Sequence, residues 1–128
     1  MVFLSGKVYY ELLKEREECR LSERVSLVRI EELAPFPFGH VEHVITNMYP
    51  NASEFLWFQE EPMNQGAYVH VGPRIEGLLG RLSKGDEVGR GTRLRYVGRK
   101  ESAVPAPGVG KLYREQQRRI LGEVFEGL

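Results

Sequence analysis

Apolar positions change period repeatedly along the chain. Val2, Phe3 and Leu4 form a continuous apolar triplet closed by Ser5-Gly6, which predicts a short strand and a tight turn. Val8, Tyr9, Leu12 and Leu13 then recur at helical spacing, with Ser5 as the expected N-cap. Val25 to Ile30 read as a second strand. Val41, Val44, Ile45 and Met48 fall at the i, i+3, i+4, i+7 spacing of an amphipathic helix, which Pro50 stops. Phe55 to Phe58 predict a third, buried strand. A helix is expected to begin near Gln65 and carry Tyr68, with Pro73 kinking or dividing it before Ile75, Leu78, Leu79 and Leu82. Ser83 to Thr92 is polar and Gly-rich without a period and predicts an exposed loop. Leu94 to Val97 give a fourth strand and PAPGVG a rigid connector. Tyr113, Gln117, Ile120, Leu121 and Val124 form the inner stripe of a last helix.

Strands separated by helices need crossover connections, so the sheet is expected to be mostly parallel, with helices on both faces. The predicted fold is α/β, a three-layer domain spanning residues 1–128 as a single unit. A chain of this length buries roughly two thirds of its unfolded surface, enough for a real core.

Lys plus Arg (18) balances Asp plus Glu (18), so no broad field selects nucleic acid or an anionic membrane as a partner. Cys19 is the only cysteine, which rules out an internal disulfide and predicts an inert helix residue in a reducing compartment. No basic leader precedes a long apolar stretch, and no window approaches the ~20 apolar residues that span a bilayer. The expectation is a soluble piece without its own address.

Enzyme-like motifs do not complete. Gly108-Val-Gly-Lys111 has Pro105 where a phosphate loop needs its first glycine and Leu112 where it needs Ser or Thr. His40 and His43 are i, i+3 on a predicted helix, but no cysteine or nearby carboxylate pair completes a tetrahedral metal set. None of His40, His43 and His70 sits in a nucleophile-base pattern. What stands out is Trp57-Phe-Gln-Glu-Glu-Pro-Met-Asn-Gln-Gly-Ala-Tyr68, where Gln59, Glu60, Glu61, Asn64, Gln65 and Gly66 follow an apolar run. Open α/β sheets place working groups at strand carboxyl ends. Adjacent Glu60 and Glu61 point opposite ways on an extended chain, so they are not a simple acid-base dyad. Two readings stand: a site or interface, or a structural role in which one carboxylate caps the following helix while Asn64 and Gln65 satisfy loop backbone. Arg99 is expected to pair with Glu60 or Glu61.

The order WFQEEPMNQGAY, with Leu4-Ser-Gly-Lys-Val-Tyr-Tyr10, Ile30-Glu-Glu-Leu-Ala-Pro-Phe-Pro37, Tyr96 to Arg99, Ser102 to Ala106 and Glu115-Gln116, resembles a known family over almost the whole chain. It is that of the carboxy-terminal domain of the thiamine-diphosphate-dependent 2-oxoglutarate dehydrogenase component. Departures occur at Pro107, where relatives commonly have Thr, and at Lys111 to Tyr113, where many carry a His. The Ser83 to Thr92 segment is longer than expected.

The resemblance implies a transketolase-like carboxy-terminal domain of a longer chain. Its parent would oxidatively decarboxylate 2-oxoglutarate with thiamine diphosphate and magnesium and pass the succinyl group to lipoamide. A 2-oxoadipate enzyme is the alternative within that class, and a stand-alone acyl-CoA or adenine-nucleotide module the alternative outside it. The Gly-Asp-Gly and Asn-Asn signature for thiamine diphosphate is absent, so no catalytic residue is assigned, no cofactor or metal is expected on this chain, and the piece alone is expected to be inactive. Implied partners are the preceding domains, a second subunit, the acyltransferase core and, through Lys7, Gln65, Arg99 and Lys111, acetyl-CoA or AMP. The implied location is the mitochondrial matrix in a eukaryote and the cytoplasm in a bacterium.

Overall fold

The computed structural model describes residues 1–84 and 91–126; most of the Ser83 to Thr92 loop expectation therefore lies outside the described residues. Strands β1 (Val2–Leu4), β2 (Leu27–Arg29), β3 (Phe55–Pro62) and β4 (Leu94–Arg99) form one all-parallel sheet in the order β2-β1-β3-β4. Helices α1 (Val8–Glu18), α2 (Phe38–His43, continuing as a π-helical turn, Val44–Met48), α3 (Tyr68–Leu82) and α4 (Gly110–Phe125) connect or follow them.

The layers follow from the topology. The chain steps from β1 to β2 in one direction, then reverses past β1 to β3 and on to β4. Right-handed crossovers of opposite direction fall on opposite faces of a sheet. On one face Phe3, Phe55, Trp57 and Leu94 pack with Val41, Ile45, Val71, Ile75, Leu78 and Leu79 of α2 and α3. On the other, Val2, Leu4, Leu56, Phe58 and Val97 pack with Val8 and Leu12 of α1 and Ile120, Val124 and Phe125 of α4. Both faces are covered, which is why the central strands, β1 and the first half of β3, read as unbroken apolar runs, while the edge strands β2 and β4 admit Arg29 and Arg95. The three-layer α/β expectation holds.

Local details differ from the sequence pattern. Ser5 is not the cap of α1; Lys7 holds that position, without a side-chain cap bond. The π turn after α2 adds a residue to the repeat and rotates the end of the helix, leaving Met48 57% exposed instead of completing the buried stripe. α3 begins at Tyr68 and runs undivided with Pro73 inside it. Cys19 is exposed just past α1. Among the described residues, no helix is long and apolar enough to cross a membrane.

The largest difference is the length of β3. It continues through Gln59, Glu60 and Glu61 to Pro62, so the polar block lies in the strand and not after it. Phe58 pairs with Val97, but the next pair is Pro62 with Arg99, so β3 bulges against β4 between them. Gly98 makes the close approach possible: a Cβ there would lie 2.7 Å from the Gln59 carbonyl oxygen.

Candidate functional site at the carboxyl end of the sheet

The reversal of strand order between β1 and β3 leaves a crevice at their carboxyl ends, the place where open α/β domains bind ligands. A cleft of about 440 Å³ occupies it. Its walls include the Ser5-Gly6 turn after β1, Leu33 and Ala34 after β2, Gln59 to Glu61 on β3, and Gly66, Ala67 and His70 at the start of α3. Buried Trp57 forms its base.

Gln59 holds the cleft together. Its side-chain oxygen accepts the Trp57 indole N–H at 3.0 Å and the Tyr68 backbone N–H at 2.9 Å. Its amide nitrogen donates to the carbonyls of Gln65 at 2.8 Å, Pro62 at 3.0 Å and, more weakly, Glu61 at 3.3 Å. The start of α3 is thus satisfied by an amide, correcting the expectation that a block carboxylate would cap it. Asn64 and Gln65 serve loop backbone as expected: both donate to the Ser102 carbonyl, at 3.0 and 2.9 Å, and Asn64 accepts the Ser102 N–H at 3.1 Å. Gly66 has φ +66°, and a Cβ there would meet the Glu61 side chain at 3.0 Å, so glycine is required on both counts.

The two glutamates have different fates. Glu60 accepts the Tyr113 hydroxyl at 3.1 Å. The Glu61 side chain runs alongside Gly66, and among the described residues its carboxylate has no hydrogen-bond or ion-pair partner. Neither pairs with Arg99, which corrects the expected bridge. Arg99 is 5% exposed and donates to the backbone carbonyl of Glu60, to Gln116 Oε1 at 3.0 Å and to Gln117 Oε1 at 3.1 Å, with its guanidinium 4.5 Å from the centre of the Tyr113 ring. The bulge presents the carbonyl of Glu60, and not its carboxylate, to β4.

Tyr113 and Gln117 as partners of this cation were not foreseen. The available signal was Gln117 itself, a polar residue within the apolar stripe of α4, since a buried polar group implies a partner. Tyr96 closes the same corner, its hydroxyl 2.9 Å from the Arg99 carbonyl and 3.1 Å from that of Glu61. Burial pushes its phenol up to about 12, with the nearby Glu61 charge acting in the same direction.

None of Lys7, Gln65, Arg99 and Lys111 lines the cleft. Lys7 and Lys111 are exposed at the starts of α1 and α4, Gln65 is spent on Ser102, and Arg99 is buried. The free amide at the first turn is also taken. Glu31 accepts the Gly6 N–H at 3.1 and 3.3 Å and the Arg29 Nε–H at 2.7 Å. Desolvation opposes the Glu31 charge, but the Arg29 and Gly6 hydrogen bonds outweigh it and hold the carboxyl below its usual value. His40 and His43 are exposed, and among the described residues no three His, Cys, Asp or Glu side chains are placed to share a metal.

A parallel sheet with this strand order, helices on both faces and a carboxyl-end cleft bounded by the WFQEEP strand defines a small open α/β domain. Residues 1–125 match the family described as 2-oxoglutarate dehydrogenase C-terminal, and the chain belongs to it. Similar relatives include the 2-oxoadipate dehydrogenase complex component E1 of Danio rerio, 41% identical over 126 residues. Others are the 2-oxoglutarate dehydrogenase E1 component of Coxiella burnetii, 37% identical over 127 residues, and the oxoglutarate dehydrogenase of Buchnera aphidicola, 36% identical over 121 residues. The matches cover 98%, 98% and 94% of this chain but only 12% of each relative.

Proposed function

We propose that this chain is the assembly domain of a dehydrogenase that oxidatively decarboxylates 2-oxoglutarate and transfers the succinyl group to lipoamide. The observation that carries this reading is the family match over residues 1–125 together with a block whose amides, Gln59, Asn64 and Gln65, are spent on the domain's own backbone. Those amides fix a loop and a surface. Thiamine diphosphate and magnesium belong to other parts of the parent. The residues of this chain do not fit them, having neither the diphosphate signature nor a cluster able to share a metal among the described residues.

Exposed apolar side chains support an assembly role. Tyr10, Phe38, Val69 and Leu112 lie in the first turns of α1, α2, α3 and α4, and Val104 and Val109 in the β4–α4 connection. In a parallel sheet, helix starts lie at the carboxyl end of the strands, so these side chains gather on one side of the domain. That surface is suited to the parent's other domains or to a second subunit. Lys7 and Lys111 stand exposed on it and are the groups to vary in a titration with acetyl-CoA or AMP. The reading carries a location with it, the mitochondrial matrix if the parent is eukaryotic and the cytoplasm if it is bacterial; the relatives include both an animal and a bacterial protein.

The test is carbon dioxide release by the longer polypeptide that contains this chain, supplied with thiamine diphosphate, magnesium and an artificial electron acceptor. Turnover of 2-oxoglutarate above 2-oxoadipate, with none from the 128-residue chain alone, is the expected result. Preference for 2-oxoadipate would move the parent to the other branch, and turnover of neither would overturn the reading.

A further inference from the structure

We infer that the carboxyl-end cleft is a cation-recognition site, which takes an ammonium or guanidinium group on an aliphatic stem and anchors it on the Glu61 carboxylate. Neither the family match nor the relatives assign a ligand to this cleft, and the inference stands whether or not the parent enzyme is the one proposed.

Three observations converge. No lysine or arginine lines the cleft among the described residues, so its walls offer an incoming anion no cationic Lys or Arg side chain. At the turn after β1 the Gly6 N–H is already taken by Glu31, which is itself paired with Arg29, so a carboxylate of this chain occupies that position. Glu61 is different: half-buried, in the wall of the cleft, and without a donor among the described residues. A carboxylate partly removed from water and unpaired is stabilised by a cation more than an exposed one is.

The remaining walls suit the stem of such a group. Leu33, Ala34 and Ala67 are apolar, and Trp57 closes the base with its indole N–H already used by Gln59. His70 Nε2 lies 2.8 Å from the Leu33 carbonyl, which requires the proton on that nitrogen and locks this wall. Gly66, with no side chain, keeps Glu61 reachable from the cleft, since any Cβ there would press on it. The ligand chemistry is therefore that of an arginine or lysine side chain, or of a free amine of the same shape.

The experiment is a titration of the isotope-labelled 128-residue chain with N-acetyl-arginine methylamide, followed by amide and indole resonances, with AMP as the anionic control. Saturable shifts at Trp57, Gly66, Ala67 and His70 are expected, weakened about tenfold in Glu61→Gln and weakened severalfold by raising salt, as for any partly exposed charge pair. Glu54→Gln, at an exposed carboxylate before the amino end of β3 and outside the cleft, should leave binding within about twofold, and amide resonances of Glu61→Gln that stay in place away from the cleft tell loss of the anchor apart from a general loss of structure. Repeating the titration on the longer polypeptide separates the sources: no response there means that one of its own basic side chains fills the cleft, and an undiminished response means a free ligand does. Absence of shifts in the 128-residue chain, shifts unaffected by Glu61→Gln, or AMP moving the same resonances would each overturn the assignment.

Discussion

Gln59 accepts the indole N–H of Trp57, two residues earlier on the same strand, at 3.0 Å, and both side chains are buried. Residues two apart on a strand face the same way, so this pair lies on the α3 side of the sheet, where the same Gln59 oxygen also receives Tyr68 N–H. One amide thereby joins the strand, the loop after it and the next helix.

Truncating Gln59 to Ala orphans two donors, the Trp57 indole N–H and the Tyr68 N–H, and one carbonyl, that of Gln65, while the Pro62 and Glu61 carbonyls keep the Gln65 N–H and the Tyr96 hydroxyl. Each unsatisfied buried polar group costs roughly 1–3 kcal/mol, with some relieved by water entering from the cleft, so a net loss of about 3–5 kcal/mol is expected in urea unfolding. A loss under about 1 kcal/mol would mean that the Gln59 network does not hold the loop.

Arg99 should prove irreplaceable by Lys. Its three contacts spread over Glu60 O, Gln116 and Gln117, and a single ammonium cannot reproduce a planar fork. Arg99→Lys is expected to destabilise by about 2 kcal/mol. A double-mutant cycle with Gln117→Ala should show coupling of at least about 0.5 kcal/mol, and one with Glu60→Ala much less, because Glu60 contributes its carbonyl. Stronger coupling to Glu60 would restore the ion pair that the structure lacks.

Tyr96 provides an alkaline limb. Its phenol is raised from 10.0 to about 12 in the folded chain, so between those values the unfolded state has lost a proton that the folded state keeps. The stabilisation is complete below pH 10 and fades as pH rises toward 12. Phenolate absorbance should show a late-titrating tyrosine that disappears in Tyr96→Phe, whose stability should depend less steeply on pH in that window. An unchanged late component would assign the shift to another tyrosine.

Glu31 acts in acid. Its folded value lies below 4.5, so its contribution is present above the unfolded value and is lost as pH falls through the folded one. Glu31→Gln should lower the melting temperature near neutrality and have little effect near pH 2.5. Equal effects at both pH values would show that the charge is irrelevant and only the shape of the side chain matters.

Gly66→Ala should be costly without changing the core. The positive φ imposes about 1–2 kcal/mol on any residue with a Cβ, and crowding of Glu61 adds to it. A neutral outcome in thermal melts would show that the loop re-forms with a different turn.

The apolar runs Val2–Leu4 and Phe55–Phe58, separated by helical stripes, were enough to determine a covered parallel sheet, because strands buried on both faces read as continuous hydrophobic runs. Of the two readings open for Asn64 and Gln65, service to loop backbone is the one the hydrogen bonds follow, yet the backbone concerned is that of Ser102, 38 and 37 residues away, which no local rule names. The local reading also picked out Gly66, but not what its missing Cβ spares. Which of two adjacent glutamates stays free could not be read locally. That depended on a bulge in β3 against β4, which turns the Glu60 carbonyl toward Arg99 and its carboxylate toward Tyr113, more than 50 residues away (53), while leaving Glu61 in the cleft. Likewise, the Ser5-Gly6-Lys7 turn has the local chemistry of an anion site, and only the parallel pairing of β1 with β2 brings Glu31 across to occupy it. Periodicity reports which face of an element is buried; it carries no information on which distant oxygen reaches a given N–H, and in this protein that choice puts the Glu31 carboxylate on the Gly6 amide.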